Sequence, residues 1–306
     1  MDLDIVNSAV RISAPLIFAA MGGLVTYQAG MLNIALDGFM IVAAFTGVAT
    51  AYFTGSLVLA IVAAVAASML LAALLALFNI KLRADIFIAG TAVTFLAYGL
   101  TALLLKGILG QDGLFTSRDI PNFSIITLPY IHTIPFLGQL LSGHTILVYL
   151  AYIMVPVVAW FLYRTQWGLR VRMVGEAPEA AATAGIKVDR IKFQTMLISG
   201  AFCGLGGAYL SLGYVSLFAN QMTNERGLIA LAAIFFAKGR PYLTAVVALL
   251  FGTATALSVR LPQVTGAAPQ LLQLIPYVVT LLALIVVGYR TARARSKHAA
   301  WRFDIS

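Results

Sequence analysis

The chain offers few residues suited to covalent or acid–base chemistry. Its 306 residues include 11 Asp and Glu, 3 His and 1 Cys against 20 Lys and Arg. No Gly-x-x-x-x-Gly-Lys-Ser/Thr run occurs, so no loop of this kind cradles nucleotide phosphates. His-Glu-x-x-His, Gly-x-Ser-x-Gly and paired-carboxylate arrangements are missing too, and no Cys/His cluster has metal-ligand spacing. The sequence therefore reads as a protein with no catalytic residue, no metal and no cofactor. What remains are polar residues set at the edges of apolar stretches, Asn33, Asp37, Asn224 and Glu225, and one long polar segment, 164–192. A proton-coupled carrier usually places several acids, histidines or lysines at mid-membrane. Asp37 is the main candidate here, which leans towards an energy source outside this chain.

The elements that must position these residues are membrane helices. The composition is 61% hydrophobic and 10% charged, whereas soluble domains run near 45–50% apolar and 25% charged. So much apolar surface needs lipid to cover it. The opening, Met1-Asp2-Leu3-Asp4, lacks the basic start of a signal peptide, so the first apolar stretch is expected to be kept. The single cysteine, Cys203, lies in an apolar run, excludes an intrachain disulfide, and reads as a small packed residue. A net charge of +9 would suit nucleic acid, but the basic residues sit in short segments between apolar runs, the pattern of the positive-inside rule.

A helix needs about 20 apolar residues to cross the hydrocarbon core. The spans read as Ala9 to Ala29, Ile34 to Phe53, Ser56 to Ile80, Ile86 to Leu105, Thr145 to Tyr163, Phe193 to Leu212, Tyr242 to Val259 and Leu271 to Gly288. A ninth run, Gly227 to Ala237, is short; it rises about 16 Å and suits a helix that starts below the outer surface. Two strongly basic segments should share the cytoplasmic side: Arg164, Arg170, Arg172, Lys187, Arg190 and Lys192, and the tail 290–306 with Arg290, Arg293, Arg295, Lys297 and Arg302. An even number of crossings must part them, so the short run counts as a crossing. Nine spans follow, with the N-terminus outside and the C-terminus cytoplasmic. Lys81, Arg83, Lys238 and Arg240 then also fall inside, and only Arg11, Lys106, Arg118, Arg226 and Arg260 fall outside. The stretch from Gly107 to His144 is the longest external connection, a docking surface or a passive cap; His132 and His144 within it receive no role.

A faint internal echo runs through the chain. Met21-Gly22-Gly23-Leu24 precedes Asn33 and Asp37-Gly38-Phe39, and Leu205-Gly206-Gly207-Ala208 precedes Asn224 and Glu225-Arg226-Gly227-Leu228. Four spans repeated in inverted order around a central fifth would produce it, an arrangement common in transporters; chance likeness of apolar segments is the alternative. Gly200 and Gly204 form a Gly-x-x-x-Gly pair, read as close helix packing. Asn33 and Asp37 either line a substrate path or cap the second span. Asn224 and Glu225 either meet a substrate or binding protein at the outer mouth or belong to a solvated loop.

The polar segment carries a short helix with clear punctuation. Pro178 suits a first helical position, Glu176 and Glu179 favour the positive end of the helix dipole, alanines 180, 181, 182 and 184 follow, and Gly185 can take the left-handed conformation that stops the helix. An alanine-faced knob between two spans is a shape that another protein can grip. A solvated connecting helix has the same features, and local physics does not separate the two.

The stretch Gly168 to Val188 resembles the coupling segment of ABC importer permeases of the simple-sugar and nucleoside (branched-chain-type) family. The likeness continues through Ser199 to Leu210, Arg226 to Pro241 and, near the start, Ala29 to Gly38; Pro269 to Leu272 and Ile275 to Leu281 are similar to the nucleoside branch. Two positions depart from the pattern: Asp37 stands where glutamate is more usual, and Phe236-Ala237-Lys238 replaces Phe-Gly-Lys. The resemblance implies an all-α polytopic bundle forming one permease domain over 1–306, set in a bacterial inner membrane. It implies import of nucleosides or, alternatively, a pentose or hexose, by alternating access. The implied partners are an ATP-binding subunit, a second, non-identical permease and an extracytoplasmic substrate-binding protein. Glu176, Ala177, Pro178, Glu179, Ala180, Ala181, Ala184 and Gly185 are the residues that the resemblance assigns to coupling. An ion-coupled secondary carrier is the reading from a different class.

Overall fold

The computed structural model describes residues 2–121, 123–126 and 142–265, together with the single positions 274, 278 and 285. The expected span Leu271 to Gly288 and the basic tail lie outside the described residues apart from those three positions, as does most of the external stretch after 126.

Ten α-helices are described: α1 (Asp2–Gln28), α2 (Leu36–Thr54), α3 (Leu57–Ala76), α4 (Ile86–Leu109), α5 (Ile146–Arg164), α6 (Gln166–Glu176), α7 (Pro178–Thr183), α8 (Val188–Ala208), α9 (Arg226–Phe236) and α10 (Pro241–Thr265). Five-residue and seven-residue π turns prolong α3 (Leu77–Lys81) and α8 (Tyr209–Val215). Among the described residues seven helices are long and apolar enough to cross a membrane, and α9 is a shorter apolar helix of 11 residues. The cytoplasmic-type segment, read from sequence as one short helix, is two: α6 and α7, meeting at Ala177.

Local chemistry fixes the boundaries. Gly55 and Gly110 end α2 and α4 in the left-handed conformation, at φ 64° and 65°. Asp85 starts α4 by accepting from the N–H groups of Phe87 (2.8 Å) and Ile88 (3.2 Å), a side-chain cap on otherwise orphaned donors.

α1 is the axis of the bundle, enclosed by α5, α8, α9 and α10, while α3 and α4 leave most of their surface on the outside. Close helix approach rests on small residues. A Cβ at Gly200 would lie 2.6 Å from Ala72, and one at Gly204 would lie 2.7 Å from Val65 Cα, so this glycine pair seats α8 against antiparallel α3. The contact of α1 with α8 is reciprocal. Gly22 faces Phe202 Cβ and the Ser199 carbonyl; Gly206 faces Phe18 Cβ and the Pro15 carbonyl. In each case the partners stand four and seven residues before the other helix's glycine.

The bundle has two distinct ends. At one, the Gln28 amide donates to the Gly239 carbonyl at 2.6 Å, and Gly30 lies against Gly175. The antiparallel run of α3 and α8 brings Lys81 and Arg83 to this end too. It therefore collects Lys81, Arg83, Arg170, Arg172, Lys187, Arg190, Lys238 and Arg240. At the other end two short antiparallel ribbons form, β1 (Leu114–Phe115) with β4 (Phe218–Ala219) and β2 (Ile125–Ile126) with β3 (His144–Thr145). Arg226, one of the residues expected on the outer side, opens the short helix α9. It is part-buried at the first residue of α9, beside the start of α2, inside the bundle.

Candidate functional site

Two places in the bundle gather the polar residues. The first is interior. Asp37 is 2% exposed and sits in the first turn of α2. Its Oδ2 accepts from the Tyr98 hydroxyl and from Thr223 Oγ1 at 2.8 Å; its Oδ1 accepts from the Gly227 N–H at 2.9 Å. The carboxylate thus lies at the positive ends of two helices, its own α2 and α9, which suits a negative charge. Three donors replace the water it loses. Gly227 is required by contact: a Cβ there would stand 2.2 Å from the Asp37 nitrogen. Asn33 is 1% exposed; its Nδ2 donates to Ser199 Oγ at 2.9 Å and its Oδ1 accepts from the Ala35 N–H at 3.1 Å, tying the turn before α2 to α8.

This node lies deep in the bundle. Tyr98 is twelve residues into the 24-residue α4, about 18 Å along it. Gly38 packs against Thr94 of the same helix. The chain reaches the node from the β4 end without a helix: residues 216–225 descend as ribbon and turns, with positive φ at Ser216 (52°), Gln221 (57°), Asn224 (46°) and Glu225 (58°). Such conformations are uncommon for non-glycine residues and mark a tightly constrained segment. The descending strand buries Thr223 and exposes Asn220, Gln221, Asn224 and Glu225. Asn33 and Asp37 are therefore behind the surface and hydrogen-bonded to neighbours, whereas Asn224 and Glu225 are on it. The Arg226 guanidinium donates to the Met222 carbonyl at 3.2 Å. Tyr209 is wholly buried with its hydroxyl on the Arg11 carbonyl at 3.0 Å.

The second place is the polar segment 164–192, expected to act in coupling, at the basic end. Thr165 caps α6 by accepting from Gly168 N–H at 3.1 Å. Pro178 opens α7, as expected. Its stop is a Schellman motif: Gly185 at φ 81° donates to Ala182, and the Ile186 N–H reaches back to Ala181, both at 3.0 Å. A Cβ at Gly185 would meet nothing within 4 Å, so only the backbone conformation calls for glycine there. Glu176, Ala177, Pro178, Glu179, Ala180, Ala184 and Gly185 are exposed, while Ala181 turns inward at 1% exposure. Glu176 closes α6 rather than leading α7. Beneath the segment, Gly175 packs so closely on the end of α1 that a Cβ would come within 2.2 Å of the Gln28 carbonyl.

Sequence reasoning missed Tyr98, Thr223, Gly227 and Ser199. Tyr98 left a signal: a phenol at mid-span, away from the interfacial level where tyrosine is usual, needs a buried partner.

The family model for the permease component of the branched-chain amino acid transport system matches residues 5–284. The chain belongs to this family. NupQ of Bacillus subtilis, named a guanosine ABC transporter permease protein, is 35% identical over 290 residues, covering 92% of this chain and 90% of NupQ. NupC of Lactococcus lactis, named a nucleoside ABC transporter permease protein, is 33% identical over 92% of this chain and 90% of its own. TsgC13 of Haloferax volcanii, provisionally named a glucose ABC transporter permease protein, is 33% identical over 95% of this chain and 93% of its own. A solved ABC transporter in an inward-facing conformation shares the fold, with a TM-score of 0.54 at 15% identity over 94% of this chain and 85% of that one. The chain is thus a multi-pass ABC permease, a transport subunit whose family implies an ATP-binding subunit and a substrate-binding protein.

Proposed function

We propose that this permease imports nucleosides across a bacterial inner membrane, and that an ATP-binding subunit moves it through residues 176–185. The observation that carries the coupling half is the clasp at the basic end. α1 ends against Gly175 of the coupling segment and against Gly239 of the turn after α9, and the same helix packs along α8, α9 and α10. Force applied to α6 and α7 from the cytoplasm has a rigid route to α9. At the far end of α9 stand the exposed Asn224 and Glu225. In this reading those two residues face the substrate path. Asn33 and Asp37 stand behind them and hold the wall in place.

The substrate rests on relatives. NupQ and NupC carry nucleoside names, and spans with few fixed charges suit a neutral polar solute. A hexose or pentose is the second reading, favoured by the name of TsgC13. Uptake of labelled guanosine, adenosine, uridine, ribose and galactose in cells with and without the chain separates them. Loss of sugar uptake with every nucleoside unaffected rules out the nucleoside and keeps the permease.

The finer architecture belongs to the same proposal: nine spans, N-terminus outside, C-terminus cytoplasmic, one domain over 1–306. The inverted four-and-four repeat is supported by the reciprocal Gly22 and Gly206 contacts and by the meeting of α2 and α9 at Asp37. Both are what a two-fold axis in the membrane plane produces. A second, non-identical permease completes the transporter, facing the surface that carries Asn224 and Glu225.

A further inference from the structure

At the basic end, a cleft of about 520 Å³ opens between the start of α6, the turn after α7 and the start of α8. Arg170, Lys187 and Arg190 line it, with the Trp167 indole, Gln194 and the apolar side chains of Ile186 and Ile191. No carboxylate is among its lining residues; Asp189 lies on a neighbouring groove that shares Lys187 and Arg190. None of these three cations forms a salt bridge among the described residues. All three are exposed.

We infer that this cleft binds the phosphate headgroup of an anionic phospholipid of the cytoplasmic leaflet. The inference rests on the orientation proposed above. The level is right: the cleft lies within a turn or two of the ends of α5 and α8, where headgroups begin. The surroundings are those of an interface. Trp160, Tyr163, Leu169 and Phe193 are exposed beside it, at 62%, 45%, 50% and 38%. Aromatic rings of this kind occupy the headgroup boundary, and basic pockets between helix ends on the cytoplasmic side take anionic headgroups. Trp167 is held ready, stacked on Phe161 at 4.9 Å between centroids with its N–H donated to Gln194 at 3.1 Å. The ATP-binding subunit has the exposed side of α7 available, which meets the cleft only at Ala184 and Gly185. The consequence is regulatory. Ala184, Gly185, Ile186 and Lys187 form both the wall of the cleft and the stop of α7, so a bound headgroup stiffens the seat of the coupling helix.

The site is read without any transport assay, so an error in the substrate leaves the outcome unchanged. The assembled transporter is extracted gently and its bound lipids are weighed by native mass spectrometry. Wild type should retain phosphatidylglycerol, and Arg170→Gln/Lys187→Gln/Arg190→Gln should release it, each lost charge weakening retention about fivefold. Lys238→Gln/Arg240→Gln, at the same end but outside the cleft, should retain it. Equal retention by all three proteins overturns the site. So does loss of the ATP-binding subunit from the triple variant with lipid still bound, which assigns the cleft to that subunit. A second measurement needs no charge variant. With Trp160→Phe and Trp301→Phe, Trp167 is the reporter in phosphatidylcholine nanodiscs. A saturable shift in its emission as phosphatidylglycerol is added supports the site; no shift, or the same shift with inorganic phosphate alone, overturns it.

Discussion

Replacing Asp37 with alanine removes the acceptor for three donors at once. The Tyr98 and Thr223 hydroxyls can rotate towards other oxygens, but the Gly227 N–H at 2.9 Å points where only the carboxylate stood. A buried orphan N–H costs about 1–3 kcal/mol, and each hydrogen bond to a charged group is worth about 1.5–3 kcal/mol. Allowing for the hydroxyls that find new partners, the loss is about 4 kcal/mol. At about 2 °C per kcal/mol for a large chain, the melting temperature of the solubilised transporter should fall by about 8 °C. Asn at this position keeps the shape and can accept from Gly227 while the hydroxyls turn to accept from its amide; it should cost about 1–2 kcal/mol. Glu keeps the charge and adds one methylene to a tight site, about 1–3 kcal/mol of overpacking. The expected order of stability is therefore wild type, then Asn and Glu together, then Ala, with uptake falling in the same order. A wild-type melting temperature for Asp37→Ala, combined with a raised KM for uptake, would refute the reasoning and make Asp37 a substrate contact.

Three other expectations follow from the geometry. Gly185→Ala meets no atom but must hold φ near 81°, and should cost about 1 kcal/mol; Gly185→Val should cost more and abolish uptake with the chain still inserted, and full uptake by Val leaves the solvated-helix reading. Ala180→Trp should release the ATP-binding subunit in co-purification while the permease stays stable, whereas Ala181→Trp, at a 1% exposed position, should destabilise the permease itself; the reverse pattern would place the docking face on the wrong side of α7. In a Cys203→Ala background, cysteine at Ser117 should label from outside intact cells and cysteine at Ser296 only after the membrane is opened, and labelling of both from one side would overturn the proposed orientation.

Most of the helix framework was legible because apolar runs of 18 or more residues bounded by glycine, Asp85 or Ser56 leave little choice. The first expected span, Ala9 to Ala29, compares with Val6–Gln28, and the fourth, Ile86 to Leu105, with Ile86–Leu109. The short run at 227–237 also came through as α9. The punctuation of α7 was readable because Pro178 and Gly185 act locally. α6 was missed because its apolar positions are interleaved with Arg170 and Arg172, and its amphipathic face is satisfied by neighbours distant in sequence. The same limit hid the interior node. Asp37 could be singled out as polar in an apolar setting, but its partners Tyr98, Thr223 and Gly227 come from two other parts of the chain. Arg226 shows what a count of charges between spans leaves out: α9 begins inside the bundle, in keeping with its short run, and the count carries no depth for its first residue.

The descent of residues 216–225 bears on how this subunit assembles. Hydrocarbon gives no partner to irregular backbone or to side chains such as Asn220, Gln221 and Asn224. If the proposed second permease faces this surface, a copy without its companion leaves those groups against lipid and pairing covers them. The polarity of this one surface then ties the stability of the inserted chain to its assembly.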